Sequence, residues 1–181
     1  MKRISTWGLR ATAAALTASA CLLGGTTSAQ AAQPDRTSAA TVPGGAHQYR
    51  HVVTGKCLDI RGRSSDDYAV VQQFDCRSGA LNQQFVSQFT GTDPTTRLQP
   101  RHSGKCVHAH WPSSHVTQLS CQDAPTQRFE LIDVGGGAVV LKNQYTGLCL
   151  DDAGMADGSR REVRQTTCTG HPSQGWVRQP V

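Results

Sequence analysis

The chain has 181 residues, with 18 Lys+Arg against 13 Asp+Glu, 37% hydrophobic and 17% charged residues. That make-up fits one soluble globular domain and excludes a membrane bundle. The basic excess sits at the start: residues 1–31 hold Lys2, Arg3 and Arg10 and no acid, and the remainder carries 15 basic against 13 acidic residues, which argues against nucleic acid as a partner.

Residues 1–31 read as a secretory signal. A basic start is followed by an uncharged apolar stretch at residues 11–25 and by small residues, with cleavage sites after Ala29 or Ala31. The apolar stretch is too short and too rich in Thr and Ser for a membrane span. A lipoprotein signal would use Cys21, but Ala18 stands where such a signal usually has Leu. Residues 32–45 are polar, without a hydrophobic period, and are expected to form a flexible tether. The folded domain is expected over residues 46–181, in a secreted protein.

Removing the signal leaves Cys57, Cys76, Cys106, Cys121, Cys149 and Cys168. An even number in an exported chain reads as disulfides. The rest of the sequence repeats three times, over about residues 48–90, 95–133 and 137–179. Thr54-Gly55-Lys56-Cys57-Leu58-Asp59 matches Ser103-Gly104-Lys105-Cys106-Val107-His108 and Thr146-Gly147-Leu148-Cys149-Leu150-Asp151. A second cysteine follows, preceded by a V-x-Q-x-x-C pattern that starts at Val71, Val116 and Val163. Each copy then closes on Gln-x-aromatic: Gln83 with Phe85, Gln127 with Phe129, Gln174 with Trp176. The pairing that treats all copies alike is Cys57–Cys76, Cys106–Cys121 and Cys149–Cys168. Local patterns are β: Leu58-Asp59-Ile60 alternates inward, outward, inward, and Gln72 and Phe74 share one face of the next strand. Thr-Gly, Ser-Gly and Gly135-Gly136-Gly137 punctuate short segments, and no sustained helical stripe is present.

Cys-Leu-Asp, the second cysteine and Gln-x-aromatic, in three copies, resemble the ricin-type β-trefoil lectins. They are similar to the family 13 carbohydrate-binding modules that accompany bacterial glycoside hydrolases. The resemblance covers about residues 48–179. It implies an all-β β-trefoil with twelve strands: a six-stranded barrel, three capping hairpins and pseudo-threefold symmetry. It also implies that Phe85, Phe129 and Trp176 lie in the core. Each repeat of this family can hold one shallow sugar site. A carboxylate accepts hydrogen bonds from sugar hydroxyls, an aromatic ring meets the sugar's C–H face, and an amide supplies a donor and an acceptor.

Carried over by repeat, the resemblance gives the first copy Asp59 as the carboxylate, Phe74 as an exposed platform and Asn82 with Gln83 as the amide pair. Gln72 and Arg77 are weaker candidates. The second repeat has His108, Leu119 and Thr126 in place of carboxylate, aromatic and Asn, so no site is expected there. The third keeps Asp151, followed by Asp152, but has Thr166 and Ser173 in the other places, which leaves Asp151 a weak candidate.

Other constellations are less informative. His108 and His110, two apart on a strand, face the same side but lack a third ligand, so no metal is expected. Trp111 is read as a loop residue covering a core edge. Asp66-Asp67, Asp151-Asp152 and Asp157 lack the flanking geometry of paired catalytic carboxylates and are expected to be solvated turn residues. No catalytic constellation and no cofactor are implied. The functional expectation is a non-enzymatic, secreted carbohydrate-binding protein, recognising galactose-like or xylan-type sugars mainly through the first repeat. A glycoside hydrolase working with it would be a separate chain. The alternative is a secreted β-trefoil that binds a protein, for example as a protease inhibitor.

Overall fold

A computed structural model of the chain describes residues 42–89, 93–152, 156–157 and 160–181. The expected signal segment and most of the expected tether lie outside these residues. Strand β1 (Val42–His51) takes in the last four residues of that stretch, with Val42 opposite Phe89 and Pro43 opposite Gln88 on β4 (Phe85–Phe89). Val42–Gly45 therefore belongs to the sheet rather than to a tether, because its backbone finds a partner strand.

β1 and β4 continue through β5 (Thr95–Pro100), β8 (Phe129–Gly135), β9 (Ala138–Asn143) and β14 (Gly175–Pro180). β14 returns to pair with β1 across Tyr49↔Arg178 and His51↔Trp176. These six antiparallel pairings close a barrel, which leaves no open edge in its wall. Three hairpins extend from it: β2 (Cys57–Ile60) with β3 (Val71–Phe74), β6 (Cys106–Ala109) with β7 (Val116–Leu119), and β10 (Cys149–Asp151) with β13 (Arg164–Thr166). This is the β-trefoil. It carries one addition: β11 (Ala156–Asp157) and β12 (Arg160–Glu162) form a further hairpin within the third repeat. β12 pairs with β3 of the first repeat, Glu162 opposite Gln72, and so covers the outer edge of that hairpin.

The core repeats the sequence repeat. Phe85, Phe129 and Trp176 are fully buried, as are Tyr49, Leu98 and Leu141 from the barrel and Leu58, Val107 and Leu150 from the hairpins. Val71, Val116 and Val163, the first residues of the V-x-Q pattern, join the same cluster. Each aromatic or aliphatic side chain buried this way contributes about 1.5–3 kcal/mol.

The polar residues of the repeat explain one another. In the Thr/Ser-Gly turns, Gly55, Gly104 and Gly147 all have φ of 65–68°, a conformation glycine adopts without a Cβ clash. The preceding hydroxyl donates to the glutamine of V-x-Q: Thr54 to Gln73, Ser103 to Gln118 at 2.8 Å, Thr146 to Gln165 at 2.7 Å. Two of these glutamines then reach the neighbouring repeat. Gln118 Nε2 donates to the carbonyls of Ser64 and Asp66, and Gln165 Nε2 to those of His110 and Ser113. The three disulfides pair within repeats as the repeat implied, with Cα separations of 5.0, 5.0 and 5.1 Å. Each closed loop restricts the unfolded chain by about 3 kcal/mol in the chain-entropy account.

The glutamines of Gln-x-aromatic are 1% exposed and each bridges the peptide groups on either side of a second cysteine. Gln83 accepts from Arg77 N–H at 2.8 Å and donates to Asp75 O at 3.0 Å. Gln127 accepts from Gln122 N–H at 2.7 Å and donates to Ser120 O at 3.0 Å, and Gln174 accepts from Thr169 N–H at 2.9 Å and donates to Thr167 O at 2.8 Å. Gln127 is the copy whose clamp stands apart from any site carboxylate. Gln127→Met removes both bonds and should lower stability by about 1–3 kcal/mol, measured by denaturant unfolding. A change within a few tenths of a kcal/mol would show that the bridge is dispensable.

Candidate functional site

In the first repeat, Asp59 lies on β2, and Gln72 and Phe74 lie opposite on β3. Asn82 and Gln83 follow in the single 3-10 turn Leu81–Gln83. The registers Asp59↔Gln72 and Cys57↔Phe74 put carboxylate, amide and ring on one side of the hairpin, while Leu58 and Ile60 point into the core. These residues line a cleft of about 390 Å3 whose rim includes Arg63, Arg77 and Gly79. The expected residues of the first repeat therefore do converge.

Their roles are more finely divided than the sequence reading allowed. Asp59 faces away from the core, as alternation implies, but it is covered, 3% exposed at the base of the cleft. Oδ1 accepts from Gln72 Nε2 at 2.8 Å, and Oδ2 accepts from Asn82 Nδ2 at 2.8 Å and Gln83 Nε2 at 3.0 Å. Three N–H donors and no competing acceptor suit the ionised form, and a carboxylate with about four acceptor positions still has capacity at Oδ1. Gln83 has none to spare, since its Nε2 also serves Asp75 O and its oxygen accepts from Arg77 N–H. It positions the carboxylate instead of meeting a ligand. Asn82 Nδ2 is likewise occupied, by Asp59 and by Ile60 O at 3.0 Å, so the amide presents only Oδ1, which receives a long bond of 3.3 Å from Arg63 Nε.

Phe74 also departs from expectation. It is half-buried, and the Arg77 guanidinium lies over its ring at 4.8 Å from the centroid. The platform is thus a Phe–Arg cation–π pair rather than a bare ring. Gln72, expected only to assist, is a direct partner of Asp59. Its oxygen accepts from Arg61 Nε at 3.0 Å, and Arg61 in turn pairs with Glu162 of the third repeat at 3.2 Å. Arg63 was missed by sequence reasoning. It closes the turn Arg61–Arg63 at φ 55°, left-handed for a residue that is not glycine, after Gly62 at φ 66°. The Arg-Gly-Arg run directly after Cys-Leu-Asp-Ile was the available signal.

The other repeats differ as their residues foretell. Asp151 Oδ2 accepts from Thr166 Oγ1 at 3.0 Å, Ser173 Oγ at 3.3 Å and Gln174 Nε2 at 2.9 Å. Short hydroxyls turned onto the carboxylate replace the aromatic face and the amide. Asp152, its neighbour, is buried and paired with Arg161 at 3.2 Å. In the second repeat, His108 occupies the carboxylate position, opposite Thr117. It meets His110 edge-to-face at 4.6 Å, and His110 Nε2 shares a hydrogen bond with Thr117 Oγ1 at 2.8 Å. Burial holds both imidazoles below the ordinary histidine pKa, and each is lowered further by a neighbouring histidine. Trp111 does not cover a core edge: it stands 60% exposed.

Burial raises the Asp59 pKa above the ordinary 3.8, against the opposing pull of hydrogen bonds from Gln72, Gln83 and Asn82 and of the Arg77 charge. A carboxyl whose folded pKa lies above its unfolded one holds its proton more tightly when folded. Its contribution to stability is therefore present below the unfolded pKa and fades as pH rises through the folded one. Titration of the side-chain carboxyl carbon by NMR should give Asp59 a midpoint above 3.8. A midpoint at or below that value would mean that the three donors outweigh the burial.

Comparison with known proteins agrees with this architecture. The family model of the ricin-type beta-trefoil lectin domain matches residues 46–176. The designed threefold symmetric protein ThreeFoil superposes with a TM-score of 0.70 at 29% identity, covering 76% of this chain and 100% of that one. An exo-beta-1,3-galactanase from Clostridium thermocellum has a TM-score of 0.70 at 19% identity, over 76% of this chain and 30% of its own. The C-half of an earthworm R-type lectin, solved in complex with GalNAc, has a TM-score of 0.60 at 16% identity, over 76% of this chain and 100% of that one. With its barrel, its three disulfide-closed repeats and a family match over most of its length, the chain belongs to the ricin-type β-trefoil lectin domains, a non-catalytic carbohydrate-binding family.

Proposed function

We propose that this chain is a secreted, non-enzymatic lectin that binds galactose-like or xylan-type sugars mainly through the first-repeat cleft. The observation that carries the reading is Asp59: a carboxylate held at the base of a cleft by three N–H donors, beside a cation–π pair, in a family that binds carbohydrate. Sugar hydroxyls donate to the free capacity of Asp59 Oδ1 and to Asn82 Oδ1. Because Gln72, Asn82 and Gln83 fix the carboxylate's orientation, the hydroxyls must approach from set directions, and that discriminates axial from equatorial groups. The earthworm lectin's GalNAc complex and the galactanase that shares the fold support a galactose-like ligand. Among the described residues the six cysteines all pair into disulfides, which supports secretion. A single shallow site implies weak binding of a monosaccharide, on the order of millimolar.

The alternative, a protein partner, draws on the second and third repeats, where the family's sugar-binding residues are replaced. A glycan array with polysaccharide pull-down separates the two readings. Within the lectin reading, Asp59→Ala should weaken binding by about ten- to a hundredfold in calorimetric titrations with galactose and xylan oligomers. Phe74→Ala, outside the core cluster, should weaken it by about tenfold while the thermal midpoint shifts little. Asp151→Ala is the comparison and should change binding little. If Asp151→Ala abolishes binding and Asp59→Ala does not, the third repeat is the working site. If the wild type retains no glycan, the protein-binding alternative takes over.

A further inference from the structure

We infer that the first-repeat cleft selects sugars bearing a carboxylate, as uronic acids do, by gripping that group with Arg63 and Arg77. This rests on the cleft being a sugar site and names the class of sugar. Both arginines line the cleft, and neither belongs to any ion pair among the described residues. The other arginine beside the site, Arg61, is already paired with Glu162.

The two guanidinium groups are prepared in different ways. Arg77 is pinned at its backbone, where its N–H donates to Gln83 Oε1 at 2.8 Å and its carbonyl accepts from Gln48 Nε2 at 3.2 Å. Its guanidinium carbon lies over the Phe74 ring, 4.8 Å from the centroid. A contact with a ring uses none of the guanidinium's N–H groups, which stay available to an in-plane acceptor, and a carboxylate is the group whose two oxygens match that fork. Arg63 is held by a left-handed backbone at φ 55°, a strained state for this residue. Among the described residues its side chain makes one hydrogen bond, the long contact from Nε to Asn82 Oδ1, while a guanidinium has five N–H donors. A strained residue whose side chain lines the cleft with no ion pair among the described residues is the observation that points outward, to a ligand.

A neutral sugar offers these arginines hydroxyl oxygens alone, whereas an anionic sugar offers a charged acceptor and so a stronger hydrogen bond. The negative charge within the cleft is Asp59, at its base and satisfied by three donors, so a ligand can set hydroxyls at the base and its carboxylate at the cationic rim.

The test is calorimetric titration of the full chain with galacturonic acid oligomers and with neutral galactose oligomers of the same length, at neutral pH and low salt. The acidic oligomer should bind about tenfold tighter or more, as expected for a charge-assisted contact. That advantage should shrink as sodium chloride is raised. It should vanish in the double variant Arg63→Gly, Arg77→Gln. Glycine accepts the left-handed backbone at position 63, so a thermal melt at or above the wild-type midpoint confirms that the double variant is folded. Equal or tighter binding of the neutral oligomer by the wild type overturns the inference and leaves the lectin reading in place. Binding of neither class overturns both. An acidic preference that survives in the double variant places the anion elsewhere and overturns the role given to these arginines.

Discussion

A buried glutamine amide that bridges the two peptide groups around a cysteine is the interaction on which this fold and its site both depend. Left unpaired, such an amide costs several kcal/mol in an apolar interior, so the position tolerates it only when both its oxygen and its nitrogen are engaged. Gln83, Gln127 and Gln174 meet that condition through the same bridge, two residues before the aromatic that fills the core. The bridge ties three things together: the disulfide turn, the 3-10 turn that carries the glutamine, and the strand that follows. Where an aspartate stands on the facing strand, the remaining hydrogen of the same amide reaches it, at 3.0 Å for Asp59 and 2.9 Å for Asp151. With His108 in that place the bridge persists on its own. A repeat can therefore lose its carboxylate and still hold its share of the barrel.

The first-repeat site is also shaped by its neighbours. β12 of the third repeat lies along β3, and Glu162 anchors Arg61, which fixes the oxygen of Gln72. With its oxygen held there, the Gln72 amide must turn its nitrogen toward Asp59. Arg164 supports Glu162 from the other side at 2.6 Å. The carboxylate's orientation is thus set partly by a segment just over a hundred residues away in sequence, an arrangement that pseudo-threefold symmetry makes available because each hairpin packs beside the next.

How much of this was legible follows from what a repeat can and cannot encode. Three copies of one motif impose the same constraint three times, so disulfide pairing, the aromatic core and the identity of the hairpin strands could be read directly. The convergence of Asp59, Phe74, Asn82 and Gln83 was legible through the resemblance to the ricin-type lectins, since the other two copies lack the aromatic ring and the Asn. What one copy adds alone was not. The left-handed Arg63, the contact of Arg77 with Phe74 and the β11–β12 hairpin have no counterpart in the other repeats among the described residues. They depend on side-chain reach and loop path, which alternation along a strand does not specify. The depth of Asp59 was hidden too: alternation correctly turned it away from the core, but the loop after Cys76 folds over it and carries Asn82 and Gln83 onto its Oδ2.

The central claim is that ligand enters the first-repeat cleft and engages the carboxylate held by Gln72 and Asn82. The most direct measurement is a nitrogen-15 NMR titration with galactose-type and xylan oligomers that follows the side-chain amide signals of glutamine and asparagine. The Gln72 and Asn82 amide pairs should move together and saturate with a single dissociation constant, while those of Gln127 and Gln174 stay in place. Saturable shifts at Gln127 or Gln174, with Gln72 and Asn82 unmoved, would contradict the account.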